Sequence, residues 1–147
     1  FQEYWKDPAK TKEVFRGEWC TAGDMGKKDE EGYYYLVDRK QNMIITGGEN
    51  VYPSEVEGAI ASHPSVRDVA VIGVPDEKWG EAIKAIVVLK PGYKSDEEMS
   101  REIIRFIRGK LAGYKCPKSV DFIPDDEMPR TATGKILHRV LREKYGT

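Results

Sequence analysis

The run Val69-Ala70-Val71-Ile72-Gly73-Val74 contains no polar side chain. A strand presents successive side chains to opposite faces, so both faces of this one must be covered. That requirement predicts a central strand inside a layered domain. The flanking segments fit such a domain. Residues 83–89 read as a second strand, closed by Pro91-Gly92, and residues 120–123 as a short third. Between them Met99, Ile103, Phe106, Ile107 and Leu111 recur at helical spacing. Ile136, Leu137, Val140 and Leu141 mark a last helix. Upstream, Pro53-Ser54-Glu55-Val56-Glu57 opens a helix, with Ser54 and Glu57 at the spacing of a capping box. The order β-hairpin, α, β, β, α, β, α predicts an α+β fold: a small, mostly antiparallel sheet flanked by helices and preceded by a β-hairpin.

Residues 1–37 are of another kind. A polar helix candidate over residues 8–15 leads to Gly17-Glu18-Trp19 and then Thr21-Ala22-Gly23-Asp24. Asp29-Glu30-Glu31 reads as a solvated turn, and Gly32-Tyr33-Tyr34-Tyr35-Leu36-Val37 as a strand. This zone has too few apolar positions to fold alone, so it is expected to complete a sheet in a larger neighbour. The opening Phe1-Gln2-Glu3-Tyr4-Trp5 likewise reads as the middle of a longer protein. Asp38-Arg39-Lys40-Gln41-Asn42 is a polar interruption, after which Met43-Ile44-Ile45-Thr46 resumes and ends at Gly47-Gly48, as a hairpin or a hinge would.

Composition narrows the function classes. With 147 residues, 39% hydrophobic and 33% charged, the chain suits one small domain plus part of another. A net charge of -1 gives no footing for nucleic-acid binding. No apolar run approaches the roughly 20 residues of a membrane span. Neither Cys20 and Cys116 nor His63 and His138 are spaced as metal ligands, and the cysteine usage suits a reduced, cytoplasmic protein.

Four segments carry candidate chemistry. In Pro129-Arg130-Thr131-Ala132-Thr133-Gly134-Lys135-Ile136, Lys135 is expected on the first turn of a helix. Unpaired N–H groups and a lysine charge there would suit phosphate or carboxylate oxygens, although the same residue types also serve as cap and turn. Gly47-Gly48 permits close backbone approach to a ligand, or simply a tight turn. Trp79 either caps the core or lines a groove. Asp24 is either a turn residue or an acceptor for ribose hydroxyls.

Four blocks in order make the chain resemble the adenylate-forming superfamily, in its AMP-forming acyl-CoA synthetase branch. They are Gly17-Glu18-Trp19-Cys20-Thr21-Ala22-Gly23-Asp24; Val37-Asp38-Arg39 through Ile44-Ile45-Thr46-Gly47-Gly48-Glu49-Asn50-Val51-Tyr52-Pro53-Ser54-Glu55-Val56-Glu57; Val71-Ile72-Gly73-Val74-Pro75-Asp76 with Trp79-Gly80-Glu81; and the block ending at Lys135. The resemblance implies that residues 1–37 end a large N-terminal adenylation domain and residues 38–147 form a mobile C-terminal lid. It implies a ligase that activates a carboxylic acid, fatty or aryl, with ATP and passes the acyl group to coenzyme A. Magnesium would be held mainly by the large domain, so the chain alone is expected to be inactive. By the same resemblance Lys135 is the catalytic lysine, and Asp24 and Arg39 contact the nucleotide. Gly47, Gly48, Glu49, Trp79 and Lys118 contact coenzyme A, and Gln41 is the hinge. Gln41 and Asn42 depart from the charged residues common there, and Cys20 and Ala22 from the usual aromatic or histidine and glycine. Two other readings use the same lid: an assembly-line adenylation domain that serves a carrier protein, and a stand-alone binding module.

Overall fold

A computed structural model describes residues 1–146. Its contacts divide the chain into two compact units, with the break between Gln41 and Asn42.

In the first unit a short helix, α1 (Pro8–Val14), is capped by Asp7, whose side chain accepts from the Lys10 amide. Two hairpins follow: β1 (Phe15–Arg16) with β2 (Trp19–Cys20), then β3 (Asp24–Lys28) with β4 (Tyr34–Arg39). The acidic turn closes the second hairpin. Asp29 accepts from the Tyr33 amide at 2.9 Å and from the Tyr35 hydroxyl at 2.8 Å. Strand β4 runs on through Asp38 and Arg39, which the sequence presents as an interruption; a 3₁₀ turn, Lys40–Asn42, follows it. Val14 is the buried hydrophobic residue of this unit, whereas Trp19 is 82% exposed and Leu36 83%.

The second unit holds one five-stranded sheet. Strands β5 (Ile44–Thr46) and β6 (Glu49–Val51) form a tight hairpin. Helix α2 (Pro53–Ala61) leads to the long hairpin of β7 (Val66–Asp76) and β8 (Gly80–Leu89). Helix α3 (Glu97–Arg108) is set up by its sequence: Asp96 caps the Met99 amide, Glu97 and Glu98 sit in the first turn, and Arg105 and Arg108 in the last. Strand β9 (Ser119–Phe122) pairs parallel to β8, and α4 (His138–Tyr145) closes the chain.

Strand β8 is central: β7 lies on one edge, with β5 and β9 along the other. Strand β7 is therefore a border strand, not the central one its composition predicts. Its two apolar faces have separate covers. Val69 and Val71 join the core shared with Val56, Ile60, Ile103 and Ile107 of α2 and α3. Ala70 and Ile72 join the core shared with Leu141 of α4. The capping box also does not form. Tyr52 occupies the cap position of α2 with no side-chain cap bond, and the Glu57 carboxylate accepts instead from the Val71 amide at 2.8 Å.

Candidate functional site

Lys135 lies before α4, not on its first turn. The 130–136 segment folds back on itself, with Arg130 bridged to Ile136. The Thr131 amide donates to the Lys135 carbonyl at 2.8 Å, and the Lys135 amide to Thr131 Oγ1 at 3.1 Å. The Gly134 amide donates to the Thr131 carbonyl at 2.9 Å, and a φ of +83° there is one that glycine adopts without strain. The lysine is thus presented by a self-bonded turn. Its side chain is exposed, and its ammonium has no ion-pair partner among the described residues.

Both flanks of this turn are tied down. Arg130 Nη2 donates to Asp68 Oδ2 and, at 3.4 Å, to Asp125 Oδ1. The Asp68 hydrogen bond raises the Arg130 pKa further, which holds the guanidinium charged. His138 Nε2 lies 2.7 Å from Glu57 Oε1. Sequence reading missed the pairing of Arg130 with Asp68 and of His138 with Glu57, because the paired groups stand 62 and 81 positions apart and no local pattern links them.

The structure brings Gly47 and Trp79 together. Gly47 and Gly48 have φ of +59° and +85°, the turn that a two-residue hairpin loop favours. The Gly47 amide donates to the Trp79 carbonyl at 2.8 Å, and a Cβ on Gly47 would sit 2.8 Å from Trp79 Cε3. Asp76 Oδ1 accepts from the Lys78 and Trp79 amides, each at 2.9 Å, and so shapes that loop. The indole is 42% exposed beside the turn, and Glu49 pairs with Thr46 at its far side. Lys118 is placed elsewhere: its amide donates to the Ile83 carbonyl at 2.8 Å, three residues along β8 from Gly80, with its side chain exposed.

In the first unit Asp24 and Arg39 stand opposite each other across β3 and β4, with Arg39 Nε 3.5 Å from Asp24 Oδ1. Arg39 and Gln41 line an open cavity of 740 Å³ together with Tyr4, Thr21 and Gly23; Asp24 is not among its lining residues. Among the described residues no three His, Cys, Asp or Glu side chains converge as a metal site. Nor, among the described residues, is any helix long and apolar enough to cross a membrane.

Residues 55–135, more than half of the chain, match the model for the AMP-binding enzyme C-terminal domain, and the chain belongs to that family. It is 49% identical over 144 residues to long-chain-fatty-acid–CoA ligase FadD13 of Mycobacterium tuberculosis, covering 98% of this chain and 27% of that protein. It is 47% identical over 143 residues to feruloyl-CoA synthase of Amycolatopsis, covering 97% and 28%. Among solved structures, an ATP-bound RpMatB–BxBclM chimera superimposes with a TM-score of 0.89 at 43% identity, covering 99% of this chain and 29% of that one. The chain therefore spans little more than a quarter of the length of these relatives.

Proposed function

We propose that this chain is the C-terminal part of an AMP-forming acid–thiol ligase, with residues 1–37 ending the large domain and residues 38–147 forming the lid. In the first half-reaction a substrate carboxylate oxygen attacks the α-phosphorus of ATP. The bond to the bridging oxygen breaks, and pyrophosphate leaves. In the second, the sulfur of coenzyme A attacks the acyl carbon and AMP leaves. The observation that carries this reading is the Lys135 ammonium, exposed and without an anionic partner among the described residues, on a self-bonded turn. Two anions must meet in the first step. A preorganised cation offsets their repulsion at no cost of reorganisation.

The other residues take roles that fit their positions. Asp24 accepts from the ribose hydroxyls and Arg39 beside it adds a donor. Gln41, at the break between the two units, is the pivot. Gly47, Gly48, Glu49 and Trp79 form the strip that meets the pantetheine arm; a Cβ on Gly47 would press on the Trp79 ring, while one on Gly48 would meet nothing within 4 Å. Lys118 meets its phosphates. Magnesium accompanying ATP is assigned to residues outside this chain. Near-equal identity to a fatty-acid ligase and a feruloyl ligase supports placing the choice of acid, fatty or aryl, outside it too.

The test is made on the full-length parent enzyme. Lys135→Ala is expected to slow pyrophosphate release about 10²- to 10³-fold while a supplied acyl-adenylate still reacts with coenzyme A. Normal pyrophosphate release by the variant would reduce Lys135 to a turn residue.

A further inference from the structure

The lysine turn is fixed to β7 by carboxylates. Asp68 Oδ1 accepts from the Val69 amide at 2.8 Å, while its Oδ2 accepts from Arg130. Glu57 Oε1 accepts from the Val71 amide at 2.8 Å and also meets His138 Nε2 at 2.7 Å. An ionised carboxylate only accepts, so Nε2 of His138 carries the proton. Each carboxylate thus joins a backbone amide of β7 to one basic side chain of the 130–138 segment. Lys135 falls between the two, five residues after Arg130 and three before His138. The His138 side chain is 18% exposed and that of Glu57 22%, so water competes little for this bond. The backbone of the turn supplies its shape, and the two clamps supply its location on the sheet.

We propose that His138, held by Glu57, and Arg130, held by Asp68, are positioning residues for Lys135 in the adenylation step. The proposal rests on the reading of Lys135 given above. Each clamp side chain is engaged by a carboxylate of this chain, and each acts by setting where the lysine ammonium stands. That ammonium must reach a carboxylate oxygen and a phosphate oxygen at once. A displacement of about 1 Å in such a geometry costs up to about 100-fold in rate.

The experiment uses the full-length parent enzyme with Lys135→Ala, His138→Ala, His138→Gln and the double variant K135A/H138A. Pyrophosphate release is measured with kcat and KM for ATP separated, and the reaction of coenzyme A with supplied acyl-adenylate is measured alongside. His138→Ala is expected to lower kcat for adenylation about 10- to 100-fold, leaving KM and the thioester step near wild type. His138→Gln, which keeps an N–H at the position of Nε2, recovers most of the loss. The double variant is no slower than Lys135→Ala alone, because a residue acting through the lysine has nothing left to lose. The proposal is overturned by equal losses in both half-reactions, by a loss that His138→Gln does not recover, or by additive losses in the double variant. Wild-type adenylation by Lys135→Ala alone overturns the reading of the lysine itself, and this proposal with it. If His138→Ala does not fold, Arg130→Lys decides by the same readouts, since it keeps the charge and loses the Nη2 group that Asp68 and Asp125 share.

Discussion

Gly47 carries two constraints at one Cα. Its φ of +59° is a left-handed conformation, and a methyl group there would meet the Trp79 ring at 2.8 Å. Gly47→Ala is expected to destabilise the chain by about 1–2 kcal/mol from backbone conformation alone, read as a lower urea midpoint. In the parent enzyme it should slow thioester formation and spare pyrophosphate release, since the displaced indole lies on the strip proposed for coenzyme A. Glycine at this position was legible in the sequence as a turn or a close approach. Its contact with Trp79 was not, because it closes only when the β5–β6 hairpin docks against the β7–β8 loop. Lys135 shows the reverse case. Thr131 and Gly134 announced a turn correctly, but Ile136 and Leu137 looked like the first turn of a helix. Ile136 instead packs on the Leu141 core from the end of the turn, so an apolar position was read with the wrong period.

At the scale of elements, the strands and helices of the second unit were legible because their apolar spacing is strong, and the neighbours of β7 were not. Periodicity reports how many faces are covered, but it does not say whether strands or open edges lie beside the element in the sheet. The capping box failed for a related reason. Glu57 has the right spacing, yet its carboxylate finds the Val71 amide and His138 across the fold. The link between α3 and β9 carries its own prediction. Cys116 is 4% exposed, and burial pushes its thiol pKa up from the ordinary value. The unfolded chain therefore ionises first as pH rises. This contribution to stability is complete below the ordinary thiol range and is lost as pH climbs towards the folded pKa. Urea midpoints followed from pH 7 upward should fall through that window, and Cys116→Ala should flatten that part of the profile.

At the scale of the molecule, the first unit keeps Trp19 and Leu36 almost wholly in solvent, and the chain spans 27% of a relative's length. From these two observations we propose that residues 1–37 belong to a larger sheet. Incubated alone with ATP and a panel of fatty and aryl acids, the chain is expected to release no pyrophosphate above background; release would show that the phosphate-handling groups lie within it. Strand β7 has a further consequence. A bordering strand with open amides is adhesive towards other chains. Here the Val69 and Val71 amides are stoppered by Asp68 and Glu57, the two carboxylates that also hold the lysine turn. Damage to either carboxylate would uncover the border and loosen the turn together, so colloidal insolubility and slow catalysis would be inherited as a single trait.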